Sequence, residues 1–223
     1  MDIEKLFDSV QVLYHSSIRI AGERVVYVDP FGVEEERHDA GLILITHDHY
    51  DHFSPEDIQK VRKADTVLVT PASTAQRAAE LGCLESHVIA PGQVLEVLGL
   101  SLEAVAAYNP GKPYHPRENG WVGYLLTMGG ARYYIAGDTD DTPEARRVRC
   151  DLALFPVGGT YTTDAAQAAQ VVNAIRPLAA VPTHYAAIVG SAADGRRFCS
   201  NTVCIAIKFG KAWRKKTCQS ACG

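Results

Sequence analysis

The chain has 223 residues, 47% of them hydrophobic and 22% charged, with a formal net charge of −4. This is the make-up of a soluble globular domain able to bury about 70% of its unfolded surface without staples. No apolar run approaches the roughly 20 residues of a membrane helix, and the charged start Met1-Asp2-Ile3-Glu4-Lys5 does not read as a signal peptide, so a cytoplasmic protein with no membrane partner is expected.

Short β-branched and aromatic runs at residues 10–14, 18–21 and 25–29, divided by polar or glycine-containing turns, predict three early strands. The third ends in Val28-Asp29-Pro30-Phe31, and His15 follows the first. Asp29 can accept a hydrogen bond from a ligand histidine and hold its tautomer, and His15 is a candidate pocket residue. Leu42-Ile43-Leu44-Ile45 is a continuous apolar run, as expected of a strand buried on both faces.

Thr46-His47-Asp48-His49-Tyr50-Asp51-His52-Phe53 follows that strand directly. Neutral imidazole and carboxylate are ligands for zinc and similar divalent ions. A rigid strand feeding a turn lets several such side chains converge. The spacing His-x-His-x-Asp-His lets alternate residues face one ion and the following pair a second. A solvated polar loop is the competing reading, and three histidines in six positions out of eight in the chain weigh against it.

Ser54-Pro55-Glu56-Asp57 opens a helix ending near residue 63: Ser54 caps, Pro55 suits the first position, and the acids face the positive end of the dipole. Residues 67–70 predict a strand, 73–81 a helix closed by Gly82, and 87–90, 94–97 and 102–107 further strands. Asn109 and His115 lie in a stiff loop with three prolines, which reads either as a surface loop or as the source of one more ligand.

Residues 121–127 and 132–136 flank Gly129-Gly130 as a hairpin. Gly137-Asp138-Thr139 follows, and Asp138 either caps a turn or bridges two ions. Thr142-Pro143-Glu144 starts a short helix, residues 152–157 form a buried strand, and 164–175 form a helix on an Asp164–Gln167 capping box. Pro182-Thr183-His184-Tyr185 puts His184 at a strand end, where a lone histidine is ordinarily structural. Two packed sheets with helices outside would accommodate this order.

Beyond Asp194 the composition changes. Seven Lys or Arg and no acid lie there, whereas the preceding body carries 15 basic and 26 acidic residues. The acidic body argues against a long nucleic-acid track. Four of the six cysteines fall in the last 25 residues, with no Cys-x-x-Cys pair. We therefore expect a hydrolase domain over residues 1–195. The atypical basic, Cys-rich tail over 196–223 would be a nucleic-acid arm, a metal-binding extra, or a non-native and disordered segment such as a cloning scar or a shifted reading frame.

Taken in order, His47-x-His49-x-Asp51-His52, Gly137-Asp138-Thr139 and Thr183-His184-Tyr185 resemble the metallo-β-lactamase superfamily. With Val28-Asp29-Pro30-Phe31 and Pro156-Val157-Gly158-Gly159-Thr160-Tyr161, the chain is similar to its small metal-dependent hydrolases related to ascorbate-6-phosphate lactonase, over about residues 13–189. The resemblance implies an α/β, four-layer αββα sandwich with two divalent ions at one edge, zinc foremost and Mn, Ni or Fe as alternatives. It implies His47 and His49 on the first ion, Asp51, His52 and His184 on the second, and Asp138 between them. The family's further histidine on the first ion has two candidates, Asn109 and His115, and imidazole is the better ligand for a borderline cation.

Two such cations acidify water near neutral pH. The expected reaction is hydrolysis of a small ester or lactone, with Asp51 or Asp138 receiving the proton and Tyr161 or Tyr185, unless merely packed, donating to the oxyanion. Phosphodiester or nucleic-acid cleavage is the alternative, and a redox di-iron protein is a more distant third. The partner expected is a small molecule, and a homo-oligomer is compatible with the sequence.

Overall fold

The computed structural model describes residues 3–203, 206–209 and 212–215. Helix α1 (Ile3–Asp8) leads into a six-stranded sheet of β1 (Val10–Tyr14), β2 (Ser17–Ala21), β3 (Val25–Val28), β4 (Ala40–Leu44), β5 (Arg62–Thr70) and β6 (Glu85–Val88), in that spatial order. Its first three strands are antiparallel and the rest run parallel. Helices α2 (Pro55–Val61) and α3 (Ala75–Ala79) lie in its crossovers. The second sheet holds β7 (Val94–Val97), β8 (Leu100–Ala106), β9 (Val122–Met128), β10 (Ala131–Ile135), β11 (Leu152–Pro156), β12 (Ala179–Thr183), β13 (Ala206–Phe209) and β14 (Ala212–Lys215). Helices α4 (Pro143–Arg147), α5 (Ala165–Ile175) and α6 (Ala192–Asn201) accompany it.

Period-two alternation explains the layering. Val26, Val28, Leu42 and Leu44 point inward to meet Leu102, Val122, Tyr124 and Leu154 of the second sheet. Tyr27, Ile43 and Ile45 point the other way, onto Phe53, Ile58 and Val61 around α2. On the far side Tyr134, Ala153 and Phe155 meet Ala168, Val172 and Phe198 of α5 and α6. The order helix–sheet–sheet–helix is the expected αββα sandwich. The run from Leu42 to Ile45 is wholly buried, and each such side chain contributes about 1.5–3 kcal/mol. Tyr124 stitches the sheets, its hydroxyl donating to the carbonyl of Ile45 at 2.6 Å.

The caps read from sequence form. Ser54 accepts from the Asp57 amide, and Asp164 and Gln167 make a reciprocal box. The helix expected over 73–81 is instead a 3-10 turn, Ala72–Thr74, followed by five α-helical residues. Thr74 Oγ1 donates to the Pro71 carbonyl, which tightens this start. Helices α1 and α6 were not anticipated. The boundary expected at residue 195 falls inside α6, whose Phe198 is fully buried, and β13 pairs in parallel with β12. The rest of the expected tail, residues 204–205, 210–211 and 216–223, lies outside the described residues. Among the described residues no helix is long and apolar enough to cross a membrane.

Candidate metal centre

One rim of the sandwich, where β1, β3, β4, β10 and β12 end, gathers His15, Asp29, the 47–52 segment, Asp138 and His184. Asp29 anchors the rim. It is buried, and its two oxygens accept from the Thr46 amide at 2.8 Å, the Thr46 hydroxyl at 2.6 Å and His52 Nδ1 at 2.7 Å. His52 therefore presents Nε2 to the interior. The Thr46 hydroxyl, its proton committed to Asp29, accepts from His47 Nδ1 at 2.9 Å, which turns the Nε2 lone pair of His47 inward, 3.1 Å from His49 Nδ1. A turn in which the amides of His52 and Phe53 both donate to the His49 carbonyl folds the motif back, and buried Phe53 pins it to α2.

The loop between β8 and β9 supplies His115. Its Nδ1 donates to Asn109 Oδ1 at 2.5 Å, and the Asn109 amide donates to the His115 carbonyl at 2.8 Å. Asn109 thus orients the imidazole, and His115 is the residue that turns toward the site. The Trp121 ring walls this side, 5.0 Å from His47, 4.9 Å from His49 and 5.5 Å from His115 between centroids.

Three overlapping sets of converging donor atoms result: His47, His49 and His115; His15, Asp51 and His184; and His47, His52 and Asp138. Asp138 lies between the first two. Its Oδ2 is 3.4 Å from His115 Nε2 and 2.9 Å from His184 Nε2, and its Oδ1 is 3.4 Å from His52 Nε2. Asp51 Oδ2 is 3.6 Å from both His52 Nε2 and His15 Nε2 and 3.9 Å from His184 Nε2. Donors on one tetrahedral zinc lie roughly 3.3 Å apart, from bonds of about 2.0–2.1 Å. The buried Nε2 atoms of His15, His52 and His115 and Oδ1 of Asp138 have no hydrogen-bond partner. Orphaned polar atoms in a closed space are costly unless something else satisfies them, and a divalent cation fits this donor set.

Electrostatics agrees with that fit. Burial holds His47 well below the ordinary imidazole range, aided by repulsion from His52, and lowers His49, aided by His115. Burial also pushes His15 down to about 4, with His184 adding to the effect. These rings are neutral near pH 7, the form that can ligate a cation. For His52 burial works in the same direction but is outweighed by the Asp138 and Asp29 carboxylates, which raise it. Asp138 is held ionised against its burial by His184 and His52.

The predicted residues separate as follows. His47, His49, Asp51, His52, His115, Asp138 and His184 come together, with Asp29 and Asn109 behind them. Tyr161 lines a cavity of about 440 Å³ that opens over His49, Asp51, Asp138 and His184. Tyr185 does not line it. The ring packs instead against the Phe155–Phe198 cluster, because the left-handed backbone of His184 (φ 55°) turns the chain immediately before it. Sequence reasoning gave His15 only a supporting place and missed Trp121. In the Tyr14-His15-Ser16 turn the histidine has φ 49°, a conformation costly for a non-glycine residue, and no pattern in the sequence signals it.

A family model described as "Beta-lactamase superfamily domain" matches residues 9–184. The chain is 33% identical over 196 residues to a UPF0173 metal-dependent hydrolase of Thermoplasma acidophilum, covering 82% of this chain and 86% of that one. It is 35% identical over 187 residues to another of that name from Nitratidesulfovibrio vulgaris, covering 77% of each. Among solved structures, one from Parabacteroides distasonis superposes with a TM-score of 0.78 at 29% identity, over 91% of this chain and 93% of that one. Igni18, a metallo hydrolase from Ignicoccus hospitalis, superposes with a TM-score of 0.72 at 18% identity, over 93% and 98%, a likeness of fold.

Proposed function

This chain belongs to the beta-lactamase superfamily and is a metal-dependent hydrolase of that fold, and from that premise we propose that it hydrolyses a small ester or lactone with two divalent cations, zinc foremost. The observation that carries this reading is the placement of Asp138 between two histidine-rich donor sets, within 3.4 Å of His115, His52 and His184. His47, His49 and His115 would hold the first cation and Asp51, His52 and His184 the second, with Asp138 shared. His15 reaches the same Asp51 oxygen as His52 and joins the second set.

Cations held there supply acidified water and polarisation of the electrophilic oxygen. The chain supplies the rest. Asp29, through Thr46 and His52, and Asn109, through His115, fix imidazole tautomers so that Nε2 faces inward. Asp51, about 8% exposed at the cavity floor, is placed to receive a proton from solvent water and return it to a leaving alkoxide. Tyr161, at the cavity wall, would donate to the developing oxyanion. A concave cavity of about 440 Å³ suits a small molecule.

His49→Ala tests the reading. The variant should retain its fold by circular dichroism, lose at least one cation per chain by elemental analysis, and lose nearly all turnover on a panel of esters and lactones. Undiminished hydrolysis by a metal-free His49→Ala protein would rule the mechanism out.

A further inference from the structure

The cavity over the donor sets has a character that the hydrolytic reading does not require. Beyond the candidate ligands its wall is Tyr50, Pro113, Tyr114, Tyr161 and Ile188, and no Lys or Arg lines it among the described residues. These side chains are left open to solvent: Tyr50 is 66% exposed, Tyr114 42% and Ile188 38%. Large apolar groups clustered at one concave site mark a binding surface, whereas scattered ones do not.

The wall is also ordered. Tyr114 and Tyr161 meet edge to face, with centroids 4.7 Å apart at 84°, and Tyr50 meets Phe31 in the same way at 5.9 Å and 83°. Lys112, the cation adjoining this wall in sequence, is already engaged. Its Nζ donates to Asp140 at 2.7 Å and to the Thr162 carbonyl at 2.7 Å, tying the Tyr114 loop to the Tyr161 loop. It works as a strap between the two rings and is not available to a ligand's anion. Phosphate recognition calls for Arg, Lys or a helix N-terminus aimed at the oxygens, and this wall provides carboxylates and rings.

We propose that the Tyr50–Tyr114–Tyr161–Ile188 wall is a substrate subsite for a flat apolar group, so that the substrate is an uncharged ester or lactone bearing an aromatic ring and not a phosphorylated one. The inference rests on the hydrolytic reading above and names its substrate class. An edge-to-face ring pair offers a third ring both a face and an edge to stack on. Covering the exposed tyrosines removes apolar area from water.

The test uses the zinc-loaded protein and three lactones: γ-butyrolactone, its 4-phenyl derivative and its 4-phosphomethyl derivative. The 4-phenyl compound should show a kcat/KM about tenfold or more above the parent, an increment expected for burying one ring, and the phosphorylated compound no gain. Tyr114→Ala and Ile188→Ala, checked for unchanged zinc content, should reduce the phenyl-to-parent ratio by about fivefold, mainly through KM. Titration calorimetry with the ring-opened products 4-hydroxy-4-phenylbutanoate and 4-hydroxybutanoate should give the same order without turnover. Preference for the phosphorylated lactone, or an unchanged ratio in both variants, overturns the subsite while hydrolysis stands. Tighter binding of the phenyl product with no turnover of any lactone or ester supports the subsite and sinks the hydrolytic reading. Neither binding nor turnover overturns both.

Discussion

Asp29 is outside the donor sets, yet three groups depend on its two oxygens: the Thr46 amide, the Thr46 hydroxyl and His52 Nδ1. Asp29→Asn keeps the size but replaces one acceptor oxygen with a donor, so His52 loses the partner that sets its tautomer. The expected outcome is a drop of about 10–100-fold in cation affinity, read by chelator competition, with Trp121 fluorescence reporting loading from its place about 5 Å from His47 and His49. The Asp29 hydrogen bond to a histidine was legible because a carboxylate at a strand end is a natural partner for a nearby imidazole, whereas the sequence offered Asn109 only as a rival to His115 and the bond between the two depends on how the loop folds. His15 was harder to read, since its approach to Asp51 depends on a left-handed backbone and a ring 4.0 Å from that of His184, both set by tertiary contacts. Tyr185 follows His184 in the chain and still faces the other way, because neighbours at a turn do not share a direction.

Single hydrogen-bond hubs also hold whole segments at the site. Asp57 in α2 accepts from the amides of Gly32 and Val33 at 2.9 and 3.2 Å and from Lys60 at 2.8 Å, which binds the loop after Asp29 to the helix after His52. Its carboxyl is lowered even though burial opposes this, because Lys60, Ser54 and the Gly32 amide outweigh it. A carboxyl lowered by folding stabilises the fold above its unfolded pKa, about 3.9, and the contribution is lost as the pH falls through the folded value. Asp57→Asn should therefore cost about 1–3 kcal/mol at pH 7 in urea unfolding, and the gap to wild type should narrow below about pH 4. Gly158 sets the strand-end turn after β11. A methyl there would collide with the His184 carbonyl and with Val189. Gly158→Ala should displace His184 and weaken cation binding by the His15–Asp51–His184 set, as measured by zinc titration. Strand and cap patterns made β1–β12, α2, α4 and α5 readable. Helix α6 was not, because its charged, low-hydropathy sequence hides the short stretch around Phe198 that packs onto the sheet.

At the scale of the molecule, the donor residues come from both sheets: His47, His49, Asp51 and His52 follow β4, while His115, Asp138 and His184 follow β8, β10 and β12. A cation shared by such ligands stabilises the folded state alone. Chelation should lower the melting temperature, and re-adding zinc should restore it, which differential scanning calorimetry would show. Phe198 tests how far the domain extends. It is fully buried against the outer face of the second sheet, so Phe198→Ala should cost about 3–5 kcal/mol by denaturant titration. The layered architecture was legible because strands with apolar residues on both faces need cover on both sides.

The candidate donors gather at the rim where β10 and β12 finish, and the Gly129–Gly130 reversal between β9 and β10 lies at the far pole of the same sheet. A fluorescent peptide or a reporter domain spliced between those two glycines would project away from the reactive face. The molecule thus offers a natural handle for immobilisation, at which an insertion should leave zinc stoichiometry and hydrolysis at wild-type levels.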